Sequence, residues 1–306
     1  MQIGIVGIEK MGGKLLEKAL KEGHEVVAWN RTKDAYEPLK VQYSDYLLKT
    51  KLKTSFTIEG MHEILNKPRI FWLMLPPGDV KEEIFEQITQ LVEQGDIIID
   101  GGNANYKDTQ KRYDLLTPKG IKFLGIGIAD DINSVETGFS LMAGGNKDAY
   151  EYIRPLLDSL ALPEGAHNYF GQGGAGHFVK MAHNGIEYGI MQSIGEGFGV
   201  LAKSPYEINL VDVGSVWQRG SIIRSFLLDM AVKALVEDGD FVSREGIVPT
   251  TGEVKWLVEA AAEEHIAVDA IAKSLEVRQH SQYDGATQST FAAKLIAALR
   301  KQFRES

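Results

Sequence analysis

The spacing of apolar positions changes along the chain, and the change divides it in two. Short apolar runs at Gln2 to Val6 and Glu25 to Trp29 flank a segment, Lys10 to Lys21, that carries Leu15, Leu16, Ala19 and Leu20 at helical spacing. The first thirty residues therefore read as strand, turn, helix, strand. Strand-like runs recur at 70–75, 97–100, 121–128 and 140–143, and helical patterns at 80–93, 106–116 and 147–160 fall between them. Such alternation predicts a parallel sheet covered by helices on both faces.

The four glycines of Phe170-Gly-Gln-Gly-Gly-Ala-Gly176 read as a junction. Beyond them the pattern is helical: a long segment from about 177 to 203, then 222–237, 252–264, 267–277 and 290–303. Ser204-Pro-Tyr-Glu207 has the spacing of a capping box with proline at the first helical position.

Within the long helix, Lys180, His183, Asn184, Glu187 and Tyr188 follow the three-and-four spacing that puts side chains on one face. Phe178, Val179, Ala182, Ile186 and Ile190 occupy the other side, which is expected to be the packing face. A lysine and a glutamate two turns apart can divide base and acid work if burial lowers the first pKa and raises the second.

Composition narrows the chemistry. In 306 residues there are 33 basic and 42 acidic side chains, a formal net charge of −9, which argues against a nucleic-acid partner. Cysteine is absent, so thiolate metal sites and cysteine nucleophiles are excluded. A first strand opening at Gln2, with no apolar run near the ~18 residues of a membrane span, leads to the expectation of a cytoplasmic protein without membrane contact.

After the first strand the turn reads Gly7-Ile-Glu9-Lys10-Met11-Gly12, a dinucleotide fingerprint whose middle glycine is replaced by Glu9. A carboxylate about 5 Å from a pyrophosphate charge would cost roughly 3 kcal/mol at an effective dielectric of ~20. Asn30-Arg31-Thr32 ends the second strand where an NAD site usually places an acid, and an arginine there faces a 2′-phosphate, favouring NADP over NAD. The expected fold is an α/β Rossmann-type dinucleotide-binding domain over residues 1–170, followed by an all-α substrate and dimerisation domain over 171–306.

Several long blocks in order carry a wider resemblance: Phe71-Trp-Leu-Met-Leu-Pro-Pro-Gly78, Gly95-Asp-Ile-Ile-Ile-Asp-Gly-Gly-Asn103, Gly173-Gly-Ala-Gly-His-Phe-Val-Lys180 and His183-Asn-Gly-Ile-Glu-Tyr-Gly189. With these the chain resembles the short 6-phosphogluconate dehydrogenases of the β-hydroxyacid dehydrogenase superfamily. The resemblance implies that Lys180 takes the proton of the substrate's secondary alcohol as hydride passes to NADP. Glu187 then acts as the acid on the enediol left after loss of carbon dioxide, giving ribulose 5-phosphate without a metal. It further implies that Asn103, His183 and Asn184 contact a small anionic sugar acid, that Tyr188 and Arg278 bind its phosphate, that Leu75, Pro76 and Asn103 border the cofactor, and that the chain works as a homodimer.

The chain also departs from that pattern. Ala129-Asp130-Asp131 stands where the family has Ser-Gly-Gly, so a hydroxyl is lost and two acids are added beside an anionic ligand. Each unrelieved contact would cost roughly 3 kcal/mol, about two powers of ten in affinity. A β-hydroxyacid neutral or cationic at that end, or a non-catalytic NADP-binding homologue, are the alternatives this leaves open.

Overall fold

The computed structural model describes residues 1–239, 241 and 243–304, apart from the side chains of Lys33, Lys40 and Arg304. The last two residues of the expected second domain, Glu305 and Ser306, and its Asp240 and Val242 lie outside the described residues. The chain forms two compact units, Met1–Lys180 and Met181–Ser306, and the division falls inside the helix Ala175–Ala202.

The first unit is built on eight strands: β1 (Gln2–Val6), β2 (Glu25–Trp29), β3 (Leu52–Ser55), β4 (Ile70–Leu73), β5 (Ile97–Asp100), β6 (Lys122–Ala129), β7 (Ser140–Gly145) and β8 (Ala166–Tyr169). They lie in one sheet in the order β3-β2-β1-β4-β5-β6-β7-β8. Strand order reverses between β1 and β4, the switch point at which open α/β sheets place their ligands. Alternation along the strands feeds two cores: Ile3, Ile5, Val26 and Ala28 face one layer of helices, and Val6, Val27, Trp29 and Phe71 face the other.

Two features differ from the expectation. All pairings are parallel except β6 with β7, which is antiparallel. The connection across residues 130–139 is too short for a covering crossover, so the chain returns as a long hairpin. The edge strands β3 and β8 lack an apolar run: β3 buries only its two ends and β8 buries none of its four residues, so neither carried a strand signature.

The second unit is helical, with Leu210–Trp217, Phe226–Asp238, Gly252–Glu263, Asp269–His280 and Phe291–Arg304 as its longer members after the shared helix. Its main core joins Met191, Phe198, Leu228, Leu235, Leu295 and Leu299, and a smaller cluster joins Tyr188, Val254 and Leu275. No helix starts at Ser204. The Ser204 hydroxyl closes a local turn by accepting the Tyr206 N–H at 3.1 Å, and the next helix is capped by Asn209, whose Oδ1 accepts the N–H groups of Val211 and Asp212.

Candidate active site

The cofactor end is a cradle built from absent side chains. Gly7 has φ +93°, and a Cβ on Gly12 would lie 1.9 Å from the Gly7 carbonyl oxygen, so the helix Lys10–Lys21 can start only where both positions are glycine. Glu9, the replaced middle glycine, has ordinary extended backbone (φ −80°, ψ 159°), is exposed and caps nothing. The first-turn amides thus lack a side-chain cap, the arrangement a pyrophosphate needs at a helix N-terminus. The residues present fit a dinucleotide.

Around this cradle, Met11 is partly buried, Lys10 is exposed with φ +32°, Leu75 is buried and Pro76 is exposed. Asn30 is held by the fold: its Oδ1 accepts the Ile8 N–H at 3.3 Å and its Nδ2 donates to Thr32 Oγ1 at 3.0 Å, tying the end of β2 to the turn after β1. Arg31 and Thr32 are exposed beside it.

A charge cluster centred on the buried Asp100 supports the loop that carries Asn103. At the end of β5, Asp100 lies 2.6 Å from Lys81 Nζ and accepts from Arg112 Nη1 at 2.6 Å, while Arg112 also pairs with Glu82. The same carboxylate accepts the Gly102 N–H, next to the exposed Asn103. Burial alone would raise the Asp100 pKa, but Lys81, His177 and Arg112 outweigh it and hold the group below the usual carboxylate range. His177 Nδ1 lies 2.7 Å from Thr109 Oγ1, whose hydroxyl is 3.2 Å from the Asn105 carbonyl. Burial lowers the His177 pKa to about 4, so the imidazole is neutral at physiological pH. None of Lys81, Asp100, Thr109, Arg112 and His177 was singled out by sequence. Asp100 closing the run Ile97–Ile99 was the one available signal, because its partners sit on other elements.

His177 lies one turn before Lys180, which is 9% exposed. A Cβ on Gly127 would lie 2.4 Å from the Lys180 Cβ, so β6 and the helix meet where the strand has no side chain. That contact seats Lys180 against the C-terminal half of β6. The acidic residues that follow β6 are engaged by the protein itself. Asp130 Oδ2 pairs with Lys14 Nζ at 3.0 Å, and Asp131 Oδ1 accepts the Asn133 N–H at 2.8 Å and the Thr137 hydroxyl at 3.2 Å.

In the second unit, His183 Nδ1 lies 3.2 Å from Asn184 Oδ1 and 4.0 Å from Glu187 Oε2. Glu187 Oε1 is buried without a hydrogen-bond partner. Tyr188 is buried, its phenol oxygen accepting the Thr251 N–H at 3.2 Å and lying 3.1 Å from Thr251 Oγ1. Arg278 is 1% exposed, no surface residue, and its guanidinium carbon lies 3.4 Å over the Tyr188 ring. Nη2 donates to Met191 Sδ at 3.5 Å, while Nη1 is buried with no hydrogen-bond partner. Burial lowers the Arg278 pKa to about 10, with Arg300 acting in the same sense and Tyr188 and Glu187 opposing, so it remains a cation at neutral pH. Arg278 is thus a buried cation with one arm unsatisfied, stacked on a tyrosine whose phenol meets Thr251 at the start of the helix Gly252–Glu263. Thr251 was not foreseen, because nothing in its local sequence points to Tyr188.

The packing expectation for the long helix fails at its large apolar residues. Phe178, Ile186 and Ile190 are 41%, 57% and 41% exposed, whereas Lys180, Asn184 and Tyr188 are buried, with Val179, Ala182 and Glu187 partly buried and His183 exposed. Local spacing set which residues share a face, but Tyr188 packs with Val254 and Leu275, which turns part of the polar side inward.

Among the described residues no helix is long and apolar enough to cross a membrane. Residues 2–171 match the NAD binding domain of 6-phosphogluconate dehydrogenase, and residues 176–305 match the 6-phosphogluconate dehydrogenase C-terminal domain. The chain is 36% identical over 303 residues to the Bacillus subtilis YqeC protein, provisionally named a 6-phosphogluconate dehydrogenase, covering 99% of this chain and 97% of the relative. It is 31% identical to the NAD(+)-dependent, decarboxylating 6-phosphogluconate dehydrogenase of Haloferax volcanii, covering 99% and 97%. The Plasmodium falciparum 6-phosphogluconate dehydrogenase, solved in its apo form and with NADP+ or 6-phosphogluconate, superposes with a TM-score of 0.82 at 28% identity, over 92% of this chain and 62% of that one. Two family domains in order over nearly the whole sequence, on a sheet whose switch point carries the dinucleotide cradle, place this chain in the 6-phosphogluconate dehydrogenase family of NAD(P)-dependent oxidoreductases.

Proposed function

We propose that this chain oxidises 6-phosphogluconate with NADP and decarboxylates the product to ribulose 5-phosphate. The observation that carries the reading is the buried Arg278, with one arm unsatisfied, stacked on Tyr188 next to Glu187 in the second unit, which supports a seat for an anionic group. Arg278 and Tyr188 bind the phosphate. Asn103, His183 and Asn184 orient the sugar acid.

When bound, the nicotinamide supplies a hydride acceptor. Lys180 removes the hydroxyl proton of the substrate as hydride leaves and returns it to the carbonyl oxygen as carbon dioxide leaves. Glu187 delivers a proton to carbon while Lys180 takes the proton that leaves the enol oxygen, which converts the enediol to the ketose. Preference for NADP is supported by Arg31, exposed at the end of β2 with no acid in its place. The pairing of Asp130 with Lys14 weakens the charge argument for a neutral or cationic substrate.

A cytoplasmic homodimer completes the reading, supported by the exposed apolar stripe Phe178, Ile186 and Ile190. Formation of NADPH from 6-phosphogluconate, abolished in Lys180→Ala with circular dichroism unchanged, is the expected result. No turnover of that substrate at any pH or salt overturns the reading, and light scattering that shows only monomer overturns the dimer.

A further inference from the structure

The segment 130–137, which opens with the two acids that replace the family's glycines, is stitched to the cofactor helix. Lys14, near the start of the helix Lys10–Lys21, pairs with Asp130 at 3.0 Å and donates to the Asp131 carbonyl at 3.2 Å. Lys21, seven residues on and therefore on the same face, pairs with Glu136 at 2.8 Å. Asp131 closes the turn through Asn133 and Thr137. All three acids of the segment thus have a partner within the first unit.

Stability does not explain this arrangement. The Lys14 and Asp130 side chains are 27% and 29% exposed, and pairs of that kind contribute little to stability. Position does. Gly127 meets the Lys180 Cβ, and Ala129, two residues further along β6, faces the same side, so Asp130 begins the segment directly beyond the seat of Lys180.

We infer that Lys14 is a positioning residue for the substrate, coupling the helix that receives the dinucleotide to the segment that borders the sugar acid. It neutralises Asp130 and holds that carboxylate on the cofactor helix, so this half of the acidic replacement of the family's Ser-Gly-Gly does not repel an anionic substrate. This inference rests on the anionic substrate proposed above. Without Lys14, Asp130 is an uncompensated charge near the substrate and the segment loses its tie to the helix.

The test is a double-mutant cycle, K14M, D130N and K14M/D130N, in the full-length protein with NADP and 6-phosphogluconate. It is run beside hydrogen exchange of residues 130–138 with and without NADP. K14M is expected to raise KM for 6-phosphogluconate about tenfold with kcat within about twofold. The same substitution in the D130N background changes KM by less than about twofold, because no charge is left to neutralise. NADP slows exchange of the segment in the wild type and not in K14M. An unchanged KM in K14M, or an equal effect of K14M with and without Asp130, overturns the inference. If the wild type does not turn over 6-phosphogluconate, it is the substrate reading that fails. Exchange then decides the coupling: NADP protection lost in K14M upholds it, and protection equal in both proteins overturns it.

Discussion

Replacing His177 with asparagine should flatten the acid limb of the protein's stability curve. The imidazole is buried and neutral, its pKa lowered from 6.5 to about 4 chiefly by desolvation. In the unfolded chain the group binds a proton near 6.5, so between these two values the unfolded state holds more protons and stability rises with pH. The contribution is fully present above 6.5 and is lost as pH falls toward about 4. The gap between 6.5 and about 4, at 1.36 kcal/mol per unit, amounts to about 3 kcal/mol. The substituted amide keeps a polar atom near the Nδ1 position for Thr109 but has no proton to bind in this window. Asp100, with a pKa held down, adds its own loss only below its unfolded value of 3.8, outside the window. Urea unfolding of wild type and His177→Asn, read by circular dichroism from about pH 4 to about 7, isolates the effect, because His24 and the other titrating groups cancel in the difference. Between about pH 7 and about pH 4 the wild type should lose about 3 kcal/mol more stability than His177→Asn. Parallel curves would refute the assignment of a neutral buried imidazole.

Other outcomes follow from particular contacts. Gly127→Ala puts a methyl 2.4 Å from the Lys180 Cβ and should lower kcat by about 100-fold with NADP binding retained by calorimetry. Arg278→Met removes the buried cation and should raise KM for 6-phosphogluconate by about 100-fold, corresponding to about 3 kcal/mol, while a β-hydroxyacid lacking the phosphate is unaffected in steady-state assays. Arg31→Ala should weaken NADP by about tenfold and leave NAD unchanged in parallel titrations, which reads out the 2′-phosphate contact.

Much of the first unit was legible because its signals are local. Gly7 and Gly12 flank a strand-to-helix turn, and runs such as Ile97–Ile99 are too apolar to be anything but interior. β3 and β8 were missed because edge strands need no apolar run. The strand at β7 was foreseen but its antiparallel direction was not, because direction is a property of connection length rather than of strand composition. At the candidate site, the polar residues of the long helix were found by spacing. Thr251 and the Asp100 cluster were not, since each member looks ordinary until its partner arrives.

The sequence by itself determined the order of elements, the dinucleotide cradle and the grouping of Lys180, His183, Asn184, Glu187 and Tyr188 on one side of one helix, because backbone periodicity and glycine stereochemistry act over a few residues. Only the tertiary structure decided which side of that helix is buried, that Arg278 lies under cover against Tyr188, and that Asp130 and Asp131 are held by Lys14, Asn133 and Thr137. Burial and most of these pairings depend on atoms distant along the chain: Lys14 and Asp130 are 116 residues apart, and their charges meet only once β6 and the cofactor helix are packed.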